Sequence, residues 1–228
     1  SAFTLDNIKN VFHDMKYPAT FLNTLIATVI GTLGIIVIAS MGGYKMARVK
    51  TRYSRFCFLF CIAPMMIPFQ SFMLTLVNVA TTLHINGKIW GLAIIYWGLG
   101  APMSIFLYQG FAKGIPLELE ESALIDGCNQ FQLFTRIIFP MLKSCTATVT
   151  IINVMWIWND FLLPLLMLGG RKSSKTLQLA AYSFMGQYKM EWQNIMSAAI
   201  LIIIPALILY LIFQKSIIKG VVAGAVKG

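Results

Sequence analysis

Charged residues are absent from four long stretches of the chain, Tyr17 to Tyr44, Phe56 to Gly87, Ile89 to Ala112 and Trp192 to Gln214, and a fifth, Ser144 to Gly170, is interrupted only by Asp160. A helix that crosses a bilayer needs about 20 mainly apolar residues. Backbone groups left unpaired in hydrocarbon are too costly to tolerate, so each stretch is predicted to be helical. The pattern predicts five transmembrane helices, near residues 20–44, 56–77, 89–109, 145–168 and 192–214, in an all-α integral membrane protein without a soluble catalytic domain.

Composition agrees: the 228 residues are 58% hydrophobic and 11% charged, against about 25% charged in soluble domains. Lys and Arg set the orientation. Five lie between Lys45 and Arg55, three between Lys113 and Lys143 and three from Lys215 onward, eleven on one side against seven on the other. The positive-inside rule puts the eleven in the cytoplasm and the N-terminus outside. Because chain starts are usually cytoplasmic, five crossings lead to the expectation of an earlier helix ahead of this sequence. The expected division is an external segment at 1–19, a transmembrane domain at 20–216 containing a cytoplasmic loop at 113–143, and a cytoplasmic tail at 217–228. The opening "SAFTLDNIKNVFHDMKY" has no apolar core and is not a signal peptide. The formal charge of +10 sits in short turns between lipid-embedded helices, which favours anionic lipid over nucleic acid as its partner.

Polar and breaking residues mark particular spans. The first is rich in Gly, Ala, Ser and Thr, which lets neighbouring membrane helices approach closely. Pro64 and Pro68 each remove a backbone donor and clash with the preceding turn, so the second span must kink or break. With Pro205 in the last span they are candidate kink or gate positions. In "WIWNDFLLPL", Trp158, Asn159 and Asp160 form a candidate polar site. A carboxylate in a span should face protein or water; an interhelical hydrogen bond and contact with a passing solute both fit. Disorder is the default expectation for the tail beyond Lys215.

Enzymatic chemistry is not legible. "GGRKSSK" lacks the G-x-x-x-x-G-K-[ST] spacing that wraps backbone donors around phosphate, so no ATP site is expected on this chain. No paired carboxylates, Ser/His/Asp arrangement or zinc spacing is found, and neither metal nor cofactor is expected.

The polar loop "KGIPLELEESALIDGCNQFQLFTRIIFP", Lys113 to Pro140, holds four Glu or Asp within one short helical pattern. Pro116 can open a helix, and Glu118, Glu120 and Glu121 then meet the favourable end of its dipole. Leu117, Glu121, Leu124 and Cys128 recur at helical intervals on one side. Gly127 permits a turn, and a second apolar helical segment is expected to close at Pro140. A carboxylate between apolar anchors suggests docking on a surface that can pair it; a helix lying on the bilayer is the alternative.

The loop resembles the signature of permease subunits of binding-protein-dependent ABC importers: E-A-A, three residues, G, nine residues, I-x-L-P. Here stand Glu121, Ser122, Ala123, Gly127, Ile137, Phe139 and Pro140, with Ser for the first Ala and Phe for the Leu. The chain is most similar to the carbohydrate branch, of the MalG type in the maltose importer family, with further likeness in "FTLDNIKNVF", "WIWNDFLLPL" and "KGVVAGAVKG". The resemblance implies a type-1 importer permease core in a bacterial or archaeal cytoplasmic membrane, serving uptake of a sugar or oligosaccharide. It implies a second, non-identical permease, two ATPase subunits or domains carrying ATP and Mg, and an external solute-binding protein that docks on loops near 78–88 and 169–191. Coupling to the ATPase falls on Leu117, Glu118, Glu121, Ser122, Ala123, Gly127, Ile137 and Pro140, with Glu121 as the charged contact and Gly224 and Lys227 as a tail contact. A permease for another small polar solute is the alternative within the class; a secondary transporter or channel subunit is the alternative outside it.

Overall fold

The computed structural model describes residues 5–169, 174–185 and 192–225. Its helices run in the order α1 (Leu5–Asp14), α2 (Tyr17–Arg48), α3 (Arg52–Ile62), α4 (Phe69–Thr82), α5 (Ile89–Lys113), α6 (Leu117–Ile125), α7 (Gln130–Leu133), α8 (Phe139–Met141), α9 (Lys143–Asn159), α10 (Leu162–Leu168), α11 (Leu177–Tyr182) and α12 (Trp192–Ala225).

All five apolar stretches are largely helical; among the described residues α2 and α5 are single helices long and apolar enough to cross a membrane, and two bent helix pairs are long and apolar enough to do so together. At 32 residues, α2 is about 48 Å long, well beyond the roughly 30 Å of hydrocarbon. Lys45 and Arg48 in its last turn complement the helix dipole and stand past the apolar layer.

Other spans are interrupted. The stretch at 56–77 breaks where the prolines require it: α3 ends at Ile62, a 3₁₀ turn covers Ala63–Met66, and α4 starts after Pro68. The expected helix at 145–168 is not continuous. It stops at Asn159 and resumes as α10 at Leu162, so Asp160 lies in a break rather than inside a span. Nor does the tail match the expectation of disorder. α12 extends to Ala225, since Lys215, Lys219 and the small residues after them do not interrupt an otherwise apolar helix; Lys227 lies outside the described residues. The stretches expected to be external are partly helical, with α4 reaching Thr82 and α11 lying within 169–191.

The chain forms two compact units, each assembled from discontinuous segments. One comprises residues 1–31, 72–95 and 154–214. Its core packs Val11, Met15, Trp158, Leu177, Ala180, Ala198 and Ile202 together. Polar ties fasten it: Tyr17 Oη donates to Leu201 O (3.0 Å), Asn23 Nδ2 to Lys175 O (3.0 Å) and the Leu177 N–H to Thr24 Oγ1 (2.9 Å). Lys175 O and the Leu177 N–H lie in the loop and first turn at α11, and Leu201 O is the α12 carbonyl that Pro205, lacking an N–H four residues on, leaves without its helical donor.

The other unit comprises residues 32–71, 96–153 and 215–228. Here glycines permit close packing: a Cβ added at Gly43 would lie 2.7 Å from Tyr108 Cβ, and one at Gly100 would meet Ile35 and Asn153. Tyr108 Oη donates to Thr146 Oγ1 (2.9 Å), and Asn153 Nδ2 donates to Ser104 Oγ (3.1 Å), joining α9 to α5. This unit carries the whole acidic loop.

Candidate functional site

Pro116 has φ −58° and ψ 139° and occupies the capping position just before α6, where its missing N–H leaves no donor unpaired. The helix ends in a left-handed turn at Gly127, φ +86°. Cys128 N–H donates to Ala123 O (3.0 Å) and Gly127 N–H to Leu124 O (3.1 Å), the paired bonds of a Schellman C-cap. Cys128 therefore lies beyond the helix and not on the face shared by Leu117, Glu121 and Leu124, because the turn reverses the chain first. A capping box at Asn129 and Gln132 starts α7. A π turn at Phe134–Ile138 leads into α8, which carries Pro140. The segment does not close at Pro140: helix persists to Met141, and α9 follows after a bend of 75°.

The orientation of α6 decides which acid does what. Glu120 and Ala123 are buried, whereas Leu117, Glu118, Glu121, Ser122, Leu124 and Ile125 are exposed. Glu121, Leu117, Leu124 and Ile125 lie one helical turn apart on a shared outward face. Ile125 is 86% exposed although it belongs to no span, so the loop presents an apolar patch with a carboxylate at its centre. Ser122 Oγ bonds to Glu118 O within the helix, and Ile137 is half-buried behind it in sequence.

Glu120 does the opposite of its neighbour. Both of its oxygens are engaged by α2: Oε1 by Arg48 Nε (2.5 Å) and Oε2 by Tyr44 Oη (2.8 Å). Arg48 Nη2 also donates to Ile115 O (2.9 Å), and its guanidinium lies 5.8 Å from the Tyr44 ring centre. Tyr44 and Arg48 are one turn apart on α2, so a single helix face clamps both α6 and the turn that precedes it. Sequence reasoning placed Glu120 in the first turn without assigning it this role, and did not single out Tyr44 or Arg48. The available signal was the i, i+4 spacing of Tyr44 and Arg48 at the end of an apolar helix, opposite an acid whose i+3 neighbour is the small Ala123.

The second candidate site lies in the other unit. Trp158 is buried and its ring packs edge-on to Phe21 at 5.7 Å. Asn159 is exposed and its Nδ2 returns to Met155 O (2.7 Å), while Asp160 Oδ1 accepts from Leu162 N–H (3.1 Å). Asp160 thus caps the start of α10 across the break. Pro205 and Gly224 are carried within α12, and Lys227 lies outside the described residues.

Residues 34–222 match the family model described as "Binding-protein-dependent transport system inner membrane component". Among relatives, the "Probable starch degradation products transport system permease protein AmyC" of Thermoanaerobacterium thermosulfurigenes is 39% identical, over 98% of this chain and 81% of its own. The "Multiple sugar-binding transport system permease protein MsmG" of Streptococcus mutans is 38% identical over 98% and 81%. A chain from the crystal structure of a bacterial ABC transporter involved in import of the acidic polysaccharide alginate shares the fold, with TM-score 0.77 and 22% identity over 92% of this chain and 78% of that one. The chain belongs to the family of inner membrane components of binding-protein-dependent transport systems, as a multi-pass permease subunit of an ABC importer.

Proposed function

We propose that this permease forms half of the pathway for ATP-driven uptake of a sugar or oligosaccharide delivered by an external binding protein, with a second, non-identical permease forming the other half. The observation that carries the coupling part of this reading is the outward face of α6, where Glu121 stands among exposed Leu117, Leu124 and Ile125 outside every span. An amphipathic helix of this kind lays its apolar face into a groove, with the charge fixing register. The partner is an ATPase subunit that binds ATP and Mg. The sugar assignment draws on the relatives, whose names specify starch degradation products and multiple sugars.

Force applied to α6 reaches the membrane through its buried side. Closure of two ATPase subunits moves α6; Glu120 and Ile115 pass the displacement to Arg48 and Tyr44, and so to the end of α2. The breaks at Pro64 to Pro68 and at Asp160 are where the pathway hinges, and the external stretches near 78–88 and 169–191 receive the binding protein. In this reading the loop at 113–143 is cytoplasmic.

The test is reconstitution of the importer with its binding protein, measuring uptake of a labelled oligosaccharide and ATP hydrolysis. Deletion of residues 117–127 is expected to abolish copurification of the ATPase and ATP-dependent uptake together. Uptake that persists without any ATPase would instead indicate a secondary transporter.

A further inference from the structure

A cavity of about 1200 Å³ is lined by the end of α2, the turn and first two turns of α3, the end of α5 and the first residues of α6. Five cations line it, Arg48, Lys50, Arg52, Arg55 and Lys113, against one carboxylate, Glu118. Glu120 neutralises Arg48, which leaves four cations facing one acid; among the described residues none of the four is in a salt bridge. Like charges gathered around an open space repel one another unless an anion enters.

Its position narrows the anion. α2 and α5 are each a single helix long and apolar enough to cross a membrane, and both end at this cavity, at Arg48 and Lys113. The cavity therefore lies at the depth where a span leaves hydrocarbon for the headgroup layer. Its lining also includes Phe58 and Leu59, in the second turn of α3, so the basic floor continues into an apolar wall. A soluble anion has no use for that wall. A phospholipid does.

We propose that this cavity is a binding site for the phosphate-bearing head group of an anionic phospholipid. Lys50, Arg52, Arg55 and Lys113 supply its counter-charges, and Phe58 and Leu59 lie against the upper part of the lipid. Arginine forks suit paired phosphate oxygens, and basic pockets between membrane helices are a recurrent form of head-group recognition. Leu117 and Glu118 of α6 line the same space, so the bound lipid sits beside the coupling helix.

The experiment uses the intact importer complex purified in detergent and a fluorescent short-chain phosphatidylglycerol, with phosphatidylcholine and inorganic phosphate as competitors. The triple variant R52Q/R55Q/K113Q is expected to weaken phosphatidylglycerol binding by at least about tenfold, the loss expected from removing three near-surface cations. The single variant R55Q should weaken it in part, so the question stays open to test if the triple variant fails to assemble. Lys45→Gln, in the same last turn of α2 but outside the cavity, should leave it unchanged. Equal binding by the parent and by R55Q and the triple variant overturns the proposal. Displacement by inorganic phosphate as effective as by lipid also overturns it, marking a free-anion site. So does loss of ATPase copurification with lipid binding intact, which would make these cations a protein-docking surface.

Discussion

Arg48 and Glu120 join the last turn of α2 to the first turn of α6, with Nε 2.5 Å from Oε1 and both side chains nearly enclosed at 13% and 10% exposure. Removing one partner strands the other charge in a poorly solvated place. Glu120→Ala and Arg48→Ala should each destabilise the permease by about 3 to 5 kcal/mol. The double variant R48A/E120A should cost clearly less than the sum, because no orphaned charge remains. Thermal unfolding of the purified complex for the parent, both singles and the double gives the coupling. Additive costs would show that the pair contributes nothing as a pair.

Glu121 is adjacent in sequence but exposed, and its expected phenotype is the reverse. Glu121→Lys should leave unfolding temperature within error of the parent while lowering ATPase copurification and sugar-stimulated ATP hydrolysis together. Truncating one side of a hydrogen-bonded charge pair at an interface costs about 2 to 5 kcal/mol, whereas a rim pair costs little. The size of the loss therefore reports how centrally Glu121 sits in the contact. Unchanged copurification and hydrolysis would remove Glu121 from the coupling contact.

The apolar stretches and the breaking power of Pro64 and Pro68 were legible because each depends on local chemistry alone. The outward set Leu117, Glu121 and Leu124 was legible for the same reason, being a matter of helical period. The burial of Glu120 was not, since three acids in four residues look equivalent until a partner 72 positions away selects one of them. Asp160 was misplaced inside a helix because "NDFLLP" is apolar enough to pass as a span; hydropathy does not register that an Asp side chain caps the next helix through Leu162 N–H. The helical extent of α12 was missed because spaced lysines and glycines resemble a tail in composition, yet they fall within an apolar helix already 24 residues long at Lys215, counted from Trp192.

Gly127 tests the loop's geometry rather than its charge. Nothing lies within 4 Å of a Cβ placed there, so Gly127→Ala adds no clash and its whole cost is the positive φ of +86°. That cost is about 1 to 2 kcal/mol for an L-residue. Asn, which tolerates the left-handed region better, should recover part of it. Uptake by the reconstituted importer is expected in the order Gly, Asn, Ala. Full activity with Ala would mean the Schellman turn is not needed to present α6.

Gly42 and Gly43 are neighbours on α2 with opposite expectations. A Cβ at Gly42 meets nothing within 4 Å. Replacing Gly by Ala in a helix interior is favourable by up to about 1 kcal/mol, so Gly42→Ala should be neutral or stabilising. At Gly43 the same Cβ would lie 2.7 Å from Tyr108 Cβ, 2.9 Å from Gln109 N and 3.0 Å from Ile105 O. Two of these are backbone atoms of α5, so the helices must separate rather than a side chain rotate, and overpacking of this kind costs about 1 to 3 kcal/mol. The separation occurs one residue before Tyr44, which holds Glu120, so Gly43→Ala should loosen the clamp on α6 as well as lower the unfolding temperature. Unfolding temperature and sugar-stimulated ATP hydrolysis of the two variants, measured side by side, decide the matter: equal values at both positions would show that close approach of α2 to α5 does not constrain the coupling loop.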